Sequence, residues 1–282
     1  MGKFDGILIC TDLDDTLLTR DKRVSDENIR AIKHFISKGG LFTFATGRMP
    51  QGARVVLQYI IPNAPMICAN GAAIYDFSAE KFLWTRKLER EALDAVEYVI
   101  ERVPQCGIVI GCENGVYFPR VTHITEEHKQ LEGFPDNYVD LYDIKEDWSK
   151  VIFMTEEDEV DKVRRVIDES PYADKFEFMR SSPWYYELLP KGSTKGSALP
   201  RLADMLGIDR KCTIGMGDNE NDMTLMTEAG VGIAVENAIE PIKAAASYIT
   251  VDNESHALAA VISDIENGRI VGLYGKGTKT QN

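Results

Sequence analysis

The chain has 282 residues, enough for one large domain or two modest ones, and its 44% hydrophobic and 27% charged residues suit a soluble protein with a real core. A formal net charge of −13 argues against non-specific binding to nucleic acid or an anionic membrane, both of which need clustered Lys and Arg. No apolar stretch approaches the ~20 residues of a membrane-spanning helix. Met1-Gly2-Lys3-Phe4-Asp5 leads straight into a strand-like run, without the apolar segment and cleavage site of a signal peptide, so a cytoplasmic location is the expectation.

In chain order, residues 6–10 form a short apolar run of the kind that lies inside a parallel sheet. Ser25 is placed to cap a helix with Asp26 and Glu27 in its first turn; Ile29, Ile32, Phe35 and Ile36 recur at helical spacing, and Gly39-Gly40 stops it. Strands are predicted over 41–45 and 66–69. From about residue 82 the pattern changes to a helix over 89–102, strands over 107–111, 116–118 and 151–154, a helix over 157–168, and strands over 175–178 and 185–189. Strand-helix alternation then returns: helix 197–206, strand 212–216, helix 222–229, strand 231–235, helix 239–246, strand 248–251 and helix 256–265. The Gly-Lys-Gly-Thr-Lys-Thr stretch after Tyr274 reads as a flexible end. The expected fold is α/β: a doubly wound parallel-sheet core from residues 1–81 and 190–282, interrupted by an inserted α+β domain over 82–189.

Ligands of doubly wound sheets bind beyond the carboxyl ends of the strands. Those ends carry Thr11-Asp12-Leu13-Asp14-Asp15-Thr16, Thr46-Gly47-Arg48, Asn70-Gly71 and Gly217-Asp218-Asn219-Glu220-Asn221-Asp222, while Lys191-Gly192-Ser193-Thr194-Lys195-Gly196 precedes a helix. Each alone is ordinary turn chemistry; together at one sheet edge they assemble acids, hydroxyls, glycines and a lysine. The five cysteines (Cys10, Cys68, Cys106, Cys112, Cys212) include no CxxC pair and read as buried thiols, and His123 and His128 are five apart, a spacing that fits no common zinc motif.

Asp12-Leu13-Asp14-Asp15-Thr16, Thr46-Gly47-Arg48, Lys195 and Gly217-Asp218-Asn219-Glu220-Asn221-Asp222 resemble, in order, the four motifs of the haloacid dehalogenase superfamily. The insert, together with Ile67-Cys68-Ala69-Asn70-Gly71-Ala72 and Glu187-Leu188-Leu189-Pro190-Lys191-Gly192, is similar to the Cof-like subfamily IIB, a sugar-phosphatase branch. The resemblance spans essentially the whole chain. It implies a Mg²⁺-dependent phosphatase of small phosphorylated metabolites, sugar phosphates first, with catalytic residues Asp12, Asp14, Thr46 and Lys195. It also implies metal ligation by the Asp12 carboxylate, the Asp14 carbonyl and Asp218, with Asp222 orienting a metal water. Leu13, Thr46, Gly47, Arg48, Asn70, Lys195, Asn221 and Glu187 are then the phosphate- and substrate-binding set.

The chemistry is consistent with this on its own terms. A carboxylate nucleophile divides one hard displacement into two, and a second carboxyl protonates the leaving oxygen before activating water. Carboxylates beside a phosphate need an intervening cation, and hard oxygen donors without paired Cys or His favour Mg²⁺. The insert is a candidate lid, in which Tyr117, Arg120, Arg180, Tyr185 and Glu187 are candidate substrate contacts. A phosphomutase, or a phosphometabolite-binding protein without turnover, is the alternative.

Overall fold

The computed structural model describes residues 2–270; the glycine- and lysine-rich end lies outside them. The described residues divide into two compact units, the first comprising 2–46, 56–83 and 194–270, the second 47–55 and 84–193.

The first unit begins with β1 (Leu8–Thr11), buried along its whole length as an interior strand must be. A wide turn over Leu13–Leu17 follows, closed by the Leu18 N–H on the Leu13 carbonyl at 2.8 Å. Helix α1 (Asp26–Ser37) starts where Ser25 Oγ accepts the Asn28 N–H, and Gly39, at φ +93°, turns the chain into β2 (Leu41–Phe44). Residues 47–55, which the sequence reading counts with the core, pack with the second unit and contain the short helix α2 (Pro50–Ala53).

β3 (Met66–Cys68), β4 (Ala73–Asp76) and β5 (Lys81–Thr85) form a separate three-stranded sheet. β3 was expected as a plain member of the parallel core; instead it pairs antiparallel with β4, Met66 opposite Tyr75, and meets the core through the single bridge Ala45–Ile67. Ala69, Asn70 and Gly71 all have positive φ, and this left-handed run reverses the chain at once.

The second unit holds α3 (Glu91–Arg102), β6 (Gly107–Cys112), β7 (Val116–Arg120), α4 (His123–Glu132), β8 (Trp148–Met154), α5 (Val160–Asp168), β9 (Phe176–Ser182) and β10 (Tyr185–Pro190). Its sheet is antiparallel with the order β7-β6-β8-β10-β9. One face, with Ile108, Ile110, Val151, Phe153 and Leu188, joins Val96 and Val99 of α3 and Val163 and Ile167 of α5 in an apolar cluster. Helix α4 was not predicted: its buried positions are largely Thr125, His128, Lys129 and Glu132, so it lacks an apolar stripe and is marked mainly by the Thr122–Thr125 capping box.

The chain re-enters the first unit at α6 (Lys195–Leu206), opened by a Thr194–Ser197 capping box, and continues through β11 (Thr213–Gly217), α7 (Met223–Glu228), β12 (Val231–Ala234), α8 (Glu240–Ala245), β13 (Tyr248–Ile249) and α9 (Ala257–Glu266). The core sheet is parallel with the order β13-β12-β11-β1-β2. Thr11 pairs with Met216 on one side and Phe44 on the other, so Asp12, Gly217-Asp218 and Ala45-Thr46 leave the sheet at the same level. Among the described residues no helix is long and apolar enough to cross a membrane, and all five cysteines are buried free thiols.

Candidate active site

Asp12 is the first residue beyond β1, an interior strand of the parallel sheet, held there by its N–H on the Met216 carbonyl at 2.9 Å. The chain turns sharply after it: Asp14 stays extended (φ −71°, ψ 130°) and Asp15 is left-handed (φ 56°). Two acids that would alternate faces on a straight strand are thereby released from that constraint.

Lys195, the first residue of α6, is fully buried, and its ammonium lies 2.8 Å from Asp12 Oδ1 and 2.6 Å from Asp222 Oδ1. Asp222 Oδ2 accepts the backbone N–H groups of Asp218 at 3.0 Å and Asn219 at 3.2 Å. This fold-back needs Gly217, where a Cβ would lie 2.3 Å from the Asp222 carboxyl carbon. Asp218 Oδ1 accepts the Thr16 hydroxyl at 2.8 Å. Asp12, Asp218 and Asp222 each place a carboxylate oxygen within 4.8 Å of the others'.

Three buried carboxylates face one ammonium, and the charge does not balance. Burial raises the Asp12 carboxyl to about 7, with Lys195 opposing and Asp222 adding to the rise. Burial, then Asp222 and Asp12, raises Asp218 to about 8. The Lys195 ammonium loses hydration on burial, yet the two acids more than offset this and raise its pKa. A hard divalent cation fits this donor set: buried oxygens with no Cys or His and an excess of negative charge.

Asn221 donates to Asn70 Oδ1 at 3.1 Å, and the Asn70 N–H bonds the Thr46 carbonyl at 3.1 Å, so these three predicted residues are linked in the first unit. Gly71 (φ +92°) abuts the start of α6: a Cβ there would sit 1.9 Å from the Thr194 carbonyl oxygen. The Asp14 carboxylate is not in the three-acid cluster; Lys22 pairs with it at 3.0 Å. Gly47, Arg48 and Glu187 belong to the second unit, where Arg48 pairs with Glu132 at 2.6 Å and Glu187 with Lys150 at 2.6 Å. There too Tyr117 bonds Glu146, Arg120 bonds the Pro104 carbonyl, Arg180 bonds the carbonyls of Ser182 and Pro183, and the Tyr185 ring meets His128. Sequence reasoning did not single out Thr16, Lys22 or Gly217 as site residues; the first and last lie inside motifs it had already marked.

Fold and site define an α/β enzyme built around an acid at the end of an interior parallel strand and a buried lysine. Residues 9–262 match the haloacid dehalogenase-like hydrolase family, and the chain belongs to it. It is 29% identical over 255 residues to the Bacillus subtilis protein named 5-amino-6-(5-phospho-D-ribitylamino)uracil phosphatase YcsE, covering 90% of this chain and 94% of that one. A putative phosphatase of Streptococcus pyogenes is 27% identical over 262 residues, 90% of this chain and 96% of the relative. The crystal structure of TM0651 from Thermotoga maritima superposes with a TM-score of 0.77 at 26% identity, covering 91% of this chain and 96% of that one. A haloacid dehalogenase-like hydrolase from Bacteroides thetaiotaomicron shares the fold with a TM-score of 0.80 at 24% identity, over 92% and 99% of the two chains.

Proposed function

We propose that the protein is a Mg²⁺-dependent phosphatase of small phosphorylated metabolites that works through an aspartyl-phosphate on Asp12. The observation that carries this reading is the buried constellation of Asp12, Lys195, Asp222 and Asp218 at the carboxyl edge of the parallel sheet.

Asp12 attacks phosphorus, its carboxylate forming the new P–O bond as the bond to the leaving oxygen breaks. Asp14, partly exposed and paired with Lys22, gives the leaving oxygen a proton and then takes one from the water that hydrolyses the acyl phosphate. Lys195 is fixed between two acids, so its ammonium orients Asp12 and offers charge to a phosphoryl oxygen. Thr46, the Leu13 and Gly47 amides and Asn221 complete the phosphoryl cradle. Asp12, Asp218 and the Asp14 carbonyl would hold Mg²⁺, whose charge neutralises the phosphoryl oxygens when it is bound. Asp222, with one oxygen on Lys195 and the other on two amides, acts by holding that lysine and the Asp218 loop.

Sugar phosphates are the first substrate class; the ribitylaminouracil phosphate named for the Bacillus subtilis relative is a phosphorylated polyol of the same chemical kind. The inserted unit is assigned the choice of molecule. The test is release of inorganic phosphate from a panel of phosphorylated sugars, polyols, pyridoxal phosphate and flavin mononucleotide, with and without Mg²⁺. Steady release without any bisphosphate supports a phosphatase; a bisphosphate requirement points to a mutase, and no release from any compound overturns the reading.

A further inference from the structure

Within the first unit, the loops that follow β12 and β13 hold the turn after Asp12 from outside. Gly217 pairs with Ala234, so the chain leaving β12 runs beside Asp218, and the Ile239 N–H donates to the Asp218 carbonyl at 3.0 Å. In the same loop, Asn237 Nδ2 donates to the Asp15 carbonyl at 2.7 Å. Asn253, buried between β13 and α9, braces that contact: its N–H donates to Asn237 Oδ1 at 3.0 Å, and its own Nδ2 reaches the Leu18 carbonyl at 2.9 Å. A backbone N–H can only donate and a carbonyl can only accept, so the two partners fix which way the Asn237 amide points.

The carbonyl that Asn237 takes is that of the Asp15–Thr16 peptide. Asp15 is left-handed (φ 56°, ψ 11°), a conformation that a residue with a side chain adopts uncommonly and that has to be held. A donor on its carbonyl sets the plane of the peptide that leads to Thr16. Thr16 is fully buried, and its Oγ1 donates to Asp218 Oδ1 at 2.8 Å. Residues 235–239 therefore grip both ends of that hydrogen bond, the peptide before Thr16 through Asn237 and the peptide after Asp218 through Ile239.

The Thr16 hydroxyl is a neutral donor on an acid crowded by two others, Asp12 and Asp222. Mg²⁺ demands near-ideal octahedral geometry, so a ligating carboxylate that rotates freely binds it poorly. Donors behind a ligating carboxylate orient it, and their loss is felt in metal affinity. Asn237 is itself exposed, so cutting it back removes the grip without opening the core.

We propose that Asn237, braced by Asn253, is a positioning residue for the cation: through the Asp15 carbonyl it places Thr16, whose hydroxyl orients the Asp218 carboxylate. This rests on the Mg²⁺ reading above. It concerns how tightly the cation is held, and leaves the attack by Asp12 untouched once the cation is bound.

The experiment compares wild type with Asn237→Ala, Thr16→Val, Thr16→Ser and the double variant Asn237→Ala/Thr16→Val. It measures Mg²⁺ affinity by calorimetry without substrate, melting in EDTA, and phosphate release as a function of Mg²⁺. Asn237→Ala should bind Mg²⁺ about 10-fold more weakly, with kcat at saturating Mg²⁺ within about threefold of wild type. Having lost two surface hydrogen bonds, it should melt in EDTA within about 8 °C of wild type. Thr16→Val should lose at least as much affinity, and Thr16→Ser, which keeps the hydroxyl, should bind as wild type does. Because Asn237 acts through that hydroxyl, the double variant should bind Mg²⁺ no more weakly than Thr16→Val alone. Unchanged Mg²⁺ affinity in Asn237→Ala, full additivity in the double variant, or a Thr16→Ser as weak as Thr16→Val overturns the proposal. Wild type that binds Mg²⁺ but turns over no ester sinks the phosphatase reading alone, and the series of affinities would still support the clamp. Wild type that binds no Mg²⁺ overturns both.

Discussion

Lys195→Met tests whether the buried lysine holds the site together. The side chain is fully buried and its ammonium touches two carboxylates, at 2.8 Å and 2.6 Å, so methionine keeps most of the volume while removing the charge. Breaking one partner out of a buried ion pair costs about 3–5 kcal/mol, because the remaining charge is left in a poor solvent. Two acids are stranded here, but the cost does not double. Asp12, already raised to about 7 with the lysine present, can take up a proton, and Asp222 keeps two backbone N–H donors. For a chain of this size each kcal/mol is worth roughly 2–4 °C, so Lys195→Met should melt about 6–20 °C below wild type in EDTA. Adding Asp222→Asn removes one stranded charge and should recover more than about 1 kcal/mol, a non-additivity expected of directly bonded groups. Melting of Lys195→Met within 2 °C of wild type, or strict additivity in the pair, would refute the view that three acids depend on this one cation.

Asp12→Asn should lower phosphate release by on the order of a thousandfold or more while leaving the fold intact; a variant with near-normal turnover would rule out the covalent route. Chelation should abolish turnover and Mg²⁺ should restore it. Mg²⁺ at about a hundred times its Kd should also stabilise wild type by roughly 2.7 kcal/mol, a gain that Asp218→Asn should largely lose in the same melting assay. Gly71→Ala should destabilise by more than about 2 kcal/mol in urea titration, since its φ of +92° disfavours a side chain and a Cβ would collide with the Thr194 carbonyl; an unperturbed midpoint would mean that the loop relaxes freely away from α6.

What was readable from the residues, and what was not, follows a physical line. Helix α1 was readable because cap, first-turn acids, apolar spacing and terminal glycines all agree locally. The acids at the sheet edge were readable because a parallel sheet places successive strand ends at one level, so Asp12 and Asp218 come together by register alone. Interactions that depend on a left-handed residue or on a charge facing inward could not be read this way. Ala69 at φ +48° gives no outward sign of itself, and without it β3 looks like another core strand rather than the first leg of a reversal. Lys22, also left-handed at φ +56°, lies in a polar stretch where nothing marks it as the partner of Asp14. Glu187 was singled out, but an acid in a strand reads as a group directed at a ligand. Only the pairing of β8 with β10 shows the buried Lys150 lying 2.6 Å from its carboxylate.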